Sequence, residues 1–398
     1  MHRSFSVFAL VAAAVLLATP SVKADTSPPN LQQLAQKIIT TSVAVQPGEV
    51  VVIEGGKHTI PFMEDLAIQA QLAGGLVTIW LDSDKVIRSQ YVDVPEKYLS
   101  IKPEYQVPWF KAIDVYINLP NTSDIAALDA GVSAKRLGDL NAAGAFLAPL
   151  ADAMKFRSLA ITYPTDQRGA SFKLSGPTYV NMIWAAMGAD YTKIAADGAK
   201  LKEKIMNAKS VRITSPAGTD FTFKLTGREP NLSDGVITSA EAKGHKLVDR
   251  SAQLPDGQVT ALAQEDSAAG RVDVPAVLCR FEVMKNVSFT FKDGTATGLQ
   301  AASGSDCFHQ LVAASGGPTM KLGSFSIGLN PAWAIHDENG AAYFPTPGAG
   351  IVYVNIGDNT FLGGSVKTIG NFNFGFPIKN ATVYLDGVKV VDGGKVVE

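Results

Sequence analysis

The sequence predicts an α/β domain with a mainly parallel sheet, followed by a mainly antiparallel β domain of α+β type. Three observations lead there. Up to about residue 205, short apolar runs rich in β-branched residues alternate with stretches of helical periodicity, the pattern of a parallel sheet covered on both faces. From about Lys209 the helices give way to short alternating strands, separated by the turn signals Asp293-Gly294, Asp386-Gly387 and Gly393-Gly394. A chain of 398 residues also exceeds what one compact core usually supports, so two domains, 25–205 and 206–398, are expected behind a leader at 1–24.

The leader comes first. Met1-His2-Arg3 precedes an apolar run from Phe5 to Ala18, then Pro20, Val22-Lys23-Ala24 and a polar start at Asp25. A basic end, a compact apolar stretch and small residues before the cut describe a secretory signal cleaved after Ala24. The run is too short for a stable anchor, and no later stretch reaches the roughly 20 apolar residues of a membrane span. The mature chain is expected to be periplasmic or secreted, without a membrane partner. Of 35 Lys and Arg, Arg3 and Lys23 leave with the signal, so 33 face 37 Asp and Glu, a formal charge of −4. That balance argues against a nucleic-acid partner, which calls for a basic stripe.

In the first half, Asn30–Val43 carries Leu31, Leu34, Ile38 and Ile39 at helical spacing, and Val50–Glu54 reads as a buried strand behind Pro47-Gly48. Ile60–Ala73 is a helix ended by Gly74-Gly75, and Ala145–Ala153 is another helical stretch. Val77–Leu81, Ala112–Leu119 and Leu159–Tyr163 supply further strands. Gly55-Gly56 lacks the spacing and the lysine of a phosphate loop, so it reads as a turn. Ala199–Lys209 is a charged helix joining the halves, and Val211–Thr214, Asp220–Leu225, Val287–Phe291, Ile351–Ile356 and Ala381–Leu385 are strands of the second domain.

Reactive side chains are sparse. Cys279 and Cys307 either form a disulfide in an oxidising compartment or remain two buried thiols. His336-Asp337-Glu338 is a candidate metal cluster, but neighbours on an extended chain point to opposite faces and no His-x-x-x-His partner exists. Cys307 and His309, two residues apart, make half a metal site at best and a poor nucleophile–base pair. There is no Gly-x-Ser-x-Gly elbow.

Four stretches of the second half form an ordered set. Val211–Leu225 is a strand, a Gly-Thr-Asp turn and a strand; Leu254–Val259 reads Leu-Pro-Asp-Gly-Gln-Val; Leu322–Asn330 ends in Gly-Leu-Asn; and Gly350–Gly364 contains Gly-Asp-Asn and closes on two glycines. With the Thr382–Gly387 hairpin, this set resembles the thermophilic-aminopeptidase family, the metallopeptidases typified by aminopeptidases T and S. The resemblance implies an aminopeptidase-T-like fold, a homodimer, and leucyl-aminopeptidase-type hydrolysis by two divalent metal ions such as zinc or cobalt. It also places the family's metal ligands. The first glutamate falls on Gln258, the second on Ser324, the first histidine on Tyr353, and the final His-x-Asp pair on Asn373 and Gly375, with the family's tyrosine near Thr360.

Neutral amides and hydroxyls do not offset two dications. No metal cofactor is therefore expected, and Gln258, Ser324, Tyr353, Asn373 and Gly375 become the lining of a pocket for a peptide or small polar molecule in an aminopeptidase-like pseudoenzyme. The alternative is an active metallo-aminopeptidase with non-standard ligands. A ring-opening dioxygenase of dihydroxypyridines, also found in this family, ranks last because its iron needs two histidines and a carboxylate in the same region.

Overall fold

The computed structural model describes residues 30–397 apart from 281 and 338–342, so the leader lies outside the described residues. The first half supplies strands β1 (Val50–Gly56), β2 (Leu76–Asp82), β3 (Val115–Asn118) and β4 (Arg157–Ile161). The second half supplies β5 (Ser210–Thr214), β6 (Asp220–Lys224), β7 (Asn231–Ser233), β8 (Ser251–Leu254), β9 (Gln258–Leu262), β10 (Ala269–Cys279), β11 (Glu282–Lys292), β12 (Thr295–Gln300), β13 (Leu322–Gly328), β14 (Val352–Gly357), β15 (Asn373–Ile378), β16 (Thr382–Leu385), β17 (Val388–Asp392) and β18 (Lys395–Val396). They form three sheets: a five-stranded sheet in the order β2-β1-β3-β4-β8, an eight-stranded sheet β12-β11-β10-β6-β5-β16-β17-β18, and a five-stranded sheet β15-β14-β13-β9-β7. The first is parallel throughout and the other two are antiparallel. The expected α/β-then-β architecture is the observed one.

Local chemistry explains the first domain. Val51 and Ile53 are buried on β1 beneath the helix Ile60–Leu72, which carries a proline in its first turn and buries Phe62, Met63, Leu66 and Ala70 at helical spacing. The helix Tyr191–Asn207 starts where the Asp190 carboxylate accepts from the Lys193 N–H at 3.1 Å, and its buried stripe of Tyr191, Ile194, Leu201 and Ile205 packs on β7 and β9. Gly55 and Gly56 serve close packing: a Cβ on Gly55 would lie 2.5 Å from Thr59 Oγ1, and one on Gly56 2.6 Å from Asn121 O. In the second domain, Phe221, Phe223, Phe289 and Phe291 of the eight-stranded sheet face Phe325 and Phe376 of the smaller one, with ring centroids 5.3 Å apart for Phe223–Phe325 and 4.7 Å for Phe289–Phe376. Among the described residues no helix is long and apolar enough to cross a membrane.

Two strands depart from the pattern readable in the sequence. Ala269–Cys279 contains Pro275, which argues against a central strand. Beyond Arg271, however, β10 pairs only with β11, so its other edge is open and the missing N–H of Pro275 breaks no ladder. Cys279 ends that strand and is bonded to Cys307 on the helix Asp306–Ala314, with Cα atoms 6.1 Å apart.

The second departure is β8. It follows 36 residues of β-domain chain after β5 yet returns to the first sheet and pairs in parallel with β4, Ser158 against Ser251 through Ile161 against Leu254. Arg250 leads it in. Its buried guanidinium donates to the carbonyls of Gly244 at 2.6 Å, Lys246 at 3.1 Å and Phe156 at 3.4 Å, and to that of Met154.

The turn Pro255–Gly257 then carries the chain from β8 of the parallel sheet straight into β9 of the small antiparallel one. A buried hydrogen-bond knot fixes it. The Asp256 N–H donates to Tyr191 Oη at 3.0 Å, and Tyr191 Oη donates to Ala186 O at 3.1 Å. Asn330 Nδ2 donates to both Ala186 O (3.0 Å) and Asp256 O (2.9 Å). Gly257 has φ +128°, and a Cβ there would meet the Asn330 N–H nitrogen at 3.2 Å, so the turn takes glycine. Asn330→Ala leaves the buried Asp256 carbonyl without its donor and the Ala186 carbonyl with only Tyr191 Oη of the knot. It should lower the unfolding free energy by about 2–3 kcal/mol in urea titrations, with no change in midpoint as the contrary result.

Candidate functional site

Strand alternation places all five sequence-derived site positions on one face of the small antiparallel sheet. The pairing Gly328–Gln258, Ser326–Tyr353, Ser324–Asn355–Gly375 and Gly357–Asn373 puts them in four successive rows. The opposite face holds Val259, Phe325, Ile327, Val354 and Phe376 in the core. The rows lie along the strands, so the five positions do not meet at one point. Ser324 and Gly375 share a row, Tyr353 stands one row away, and Gln258 and Asn373 are at the two ends.

Each of these groups is already engaged or constrained. Asn355 Nδ2 donates to Ser324 Oγ at 3.2 Å, and in the next row Thr260 Oγ1 and Ser326 Oγ are 3.0 Å apart. Tyr353 Oη donates to Phe344 O, outside the row. Asn373 Nδ2 donates to Asp358 O at 2.8 Å and so supports the loop after β14. A Cβ on Gly375 would lie 2.6 Å from Asn355 Oδ1 and 2.7 Å from Tyr353 Cδ1, so no carboxylate side chain fits there without displacing both neighbours. Gln258 differs: its Oε1 is buried with no hydrogen-bond partner among the described residues.

The Gly357-Asp358-Asn359 motif builds that loop. The Asp358 carboxylate accepts from Thr360 N (3.0 Å), Thr360 Oγ1 (2.6 Å) and Thr368 N (2.9 Å); burial alone would raise its pKa, but these bonds hold it below the usual carboxylate range. Thr360 is thus a loop residue. Of the other candidates, His336 lies in a backbone bridge with Tyr343, Asp337 is paired with Lys379, and Glu338 lies outside the described residues. His309 sits on the helix Asp306–Ala314 beside Phe308, and Cys307 is taken up in the disulfide.

Where this face reaches β9 it opens into a cleft of about 980 Å³ between β4 and β8 of the parallel sheet and β7 and β9 of the small one. Lys202, Glu229, Asp234, Asp256, Gln258 and Thr260 are among its lining. Lys202 is committed to Glu229 at 2.6 Å. Burial pushes the Asp256 carboxyl up to about 7, and the nearby Asp234 charge adds to it, while the Gly257 N–H and Gln253 pull the other way. Asp234 is raised as well, first by burial and then by Glu241, against the hydrogen bond from Val236 N. Thr260, Ser326, Asn355, Asp234 and Asp256 are absent from the sequence-derived set. Counting by two from Gln258, Ser324 and Tyr353 reaches the first three, and Asp256 stands beside Gln258 in the Leu-Pro-Asp-Gly-Gln run.

The fit to a dinuclear metal site is poor. Among the described residues no three His, Cys, Asp or Glu side chains are grouped to hold a metal ion. On the polar face itself the rows offer hydroxyls and amides, most of them bonded to one another.

A family model described as thermophilic metalloprotease (M29) matches residues 28–339. The chain belongs to that family. The matched span ends ahead of Tyr353, Asn373 and Gly375. Among solved structures, this M29 chain is similar to wild-type AmpT from Thermus thermophilus, with a TM-score of 0.69, 16% identity, and 93% of this chain and 99% of that one covered. It is also similar to a 2,5-dihydroxypyridine dioxygenase from Pseudomonas putida KT2440, with a TM-score of 0.59, 16% identity, and coverage of 93% and 98%. At that identity the likeness is one of fold. No curated protein sequence matches it.

The cleft carboxylate makes a pH prediction. Folding raises the Asp256 pKa from 3.8 to about 7, so its contribution to stability is complete below pH 3.8 and is lost as the pH climbs through 7. Glu54 on β1, pushed to about 7 by burial and by Asp82 against a hydrogen bond from Tyr116, acts in the same direction. Asp256→Asn keeps an acceptor for the Gly257 N–H. It should raise the unfolding free energy at pH 8 by on the order of 2–4 kcal/mol and leave it nearly unchanged at pH 4. An equal shift at both pH values in denaturant titrations would contradict this.

Proposed function

We propose that this M29 member binds a peptide or another small polar ligand in the cleft without hydrolysing it. The observation that supports the reading is the neutral pair Gln258 and Thr260 in the cleft lining, backed by the hydrogen-bonded hydroxyls and amide of Ser326, Ser324 and Asn355, the two serines buried, rather than by carboxylates. Activating a water with two dications needs carboxylates and imidazoles to balance their charge. Hydroxyls and amides instead recognise the N–H and C=O groups of a peptide, and the unmatched Gln258 Oε1 accepts a donor from it. The family's metal-dependent chemistry keeps a second reading in view. An active metallo-aminopeptidase would draw on Asp234 and Asp256, the two interacting carboxylates of the cleft.

We further propose that the protein works outside the cytoplasm, as a cleaved secretory precursor. The N-terminal pattern of basic, apolar and small residues supports this, and so does the Cys279–Cys307 bond, since such bonds persist in oxidising compartments.

Titration calorimetry with short unblocked peptides should give saturable binding, and mass spectrometry should recover the peptides intact after prolonged incubation. Gln258→Leu combined with Thr260→Val should weaken binding roughly tenfold, or about 1.4 kcal/mol. Absence of binding at millimolar peptide would remove the proposal, and released amino acids would replace it with the aminopeptidase reading.

A further inference from the structure

Of the strands that wall the cleft, β8 and β7 are each the last of their sheet among the described residues. Three consecutive residues of β8, Ser251, Ala252 and Gln253, line the cleft. Side chains alternate between faces along a strand, so a lining made of all three reaches β8 along its edge as well as over one face. That face is bare. In register, Ser158 stands beside Ser251 and Ala160 beside Gln253. Ala160, Ser251 and Gln253 are exposed where a parallel sheet is normally covered.

The ladder fixes which backbone groups of β8 point into the cleft. On the β4 side, Leu254 O accepts from Thr162 N at 2.7 Å. Successive residues of a strand turn their N–H and C=O to opposite sides in a parallel pair, so Ala252 faces β4 with Leu254, and Ser251 and Gln253 face outward. The Ser251 N–H is taken by Val248 O. The Gln253 N–H, the Gln253 C=O and the Ser251 C=O are left on the side where no strand among the described residues pairs with β8. Both ends of this edge are fixed: Arg250 grips four carbonyls ahead of it, and the Asp256 N–H is tied to Tyr191 behind it. Ser-Ala-Gln-Leu carries no lysine, proline or charge of the kind that guards a free edge. Its guard is its length of four residues, roughly 13 Å. Set in a cleft of about 980 Å³, such an edge excludes a second sheet and admits one short extended chain.

We infer that the cleft takes its ligand as an added strand: an extended peptide segment that pairs through its main chain with the outer edge of β8. This rests on the proposed peptide-binding reading and specifies how the peptide is held. Running parallel or antiparallel to β8, the segment accepts from the Gln253 N–H and donates two alternate amide N–H groups to the Gln253 and Ser251 carbonyls. An edge already fixed at both ends loses little freedom when it is paired. Ser158, Ala160 and Ser251 give the floor beside it small side chains, so recognition falls on the peptide backbone and tolerates changes of sequence.

The test uses the full mature chain, with pentaalanine as the probe and its amides replaced by esters one at a time. Titration calorimetry should show a period of two: esters at two alternate positions each weaken binding about five-fold, and esters at the positions between them have little effect. Gln253→Pro removes the outward N–H without touching the β4 ladder, because an edge strand accepts proline where its N–H faces out. It should bind pentaalanine at least about five-fold more weakly than Gln253→Ala, which keeps that N–H, with equal urea midpoints for the two variants. Should Gln253→Pro fail to fold, the ester series on the wild-type chain decides alone. Bound pentaalanine whose esters all weaken it equally, or not at all, overturns the inference and leaves the binding reading standing. So does a folded Gln253→Pro that binds as tightly as Gln253→Ala. Pentaalanine that does not bind at millimolar concentration overturns it as well, alone if other short peptides bind and together with the binding reading if none does.

Discussion

Asn330 spends both protons of its amide on carbonyls from distant parts of the chain, Ala186 at the end of one helix and Asp256 in the turn between two sheets. Tyr191 closes the same knot from a second helix. Without it the Pro255–Gly257 turn would have buried polar groups and nothing to satisfy them, a cost of a few kcal/mol for a segment with no core of its own. The knot sets the angle at which β8, tied into the parallel sheet, hands over to β9 of the antiparallel one. The cleft is the space left between those two strands, so its shape follows from these few bonds. The buried Asp256 carboxyl is a by-product of the same packing.

The electrostatics of the polar face follow from side-chain type and strand parity. Four rows of one sheet face bring Gln258, Thr260, Ser324, Ser326, Tyr353, Asn355, Asn373 and Gly375 to the same side. None of them carries charge at neutral pH. Gly375 is held small by Asn355 and Tyr353, so the rows exclude a carboxylate there by volume as well as by sequence. A face built this way suits hydrogen-bond recognition and is poorly suited to neutralising two dications. The family membership gives the scaffold, while the chemistry at these rows is this chain's own.

Much of the fold was legible because burial writes itself into composition. Val50–Glu54 is an apolar run because an inner parallel strand is covered on both faces, and β5 and β6 of the β half alternate because one face is wet. β8 was not legible, since Ser-Ala-Gln-Leu carries no periodic signal and its place depends on Arg250 reaching four carbonyls. β10 was hidden by Pro275, whose tolerance depends on which edge is open. For the site, the motif order placed five positions on one face, but the partners that complete the rows lay two residues away and went unread. Asp256 could not have been read as a buried acid at all. Its burial depends on Tyr191 and Asn330, 65 and 74 residues distant in sequence.

The proposed function requires that the rows around Ser324, Asn355 and Tyr353 hold no pair of divalent ions. Elemental analysis of the purified mature protein, after equilibration with zinc, manganese or cobalt and removal of free metal, addresses it most directly. The expected result is well under one equivalent of any of them per chain, and no chelator-sensitive turnover of aminoacyl chromogenic substrates in the same samples. Two equivalents retained, with turnover that a chelator abolishes and added metal restores, would contradict it.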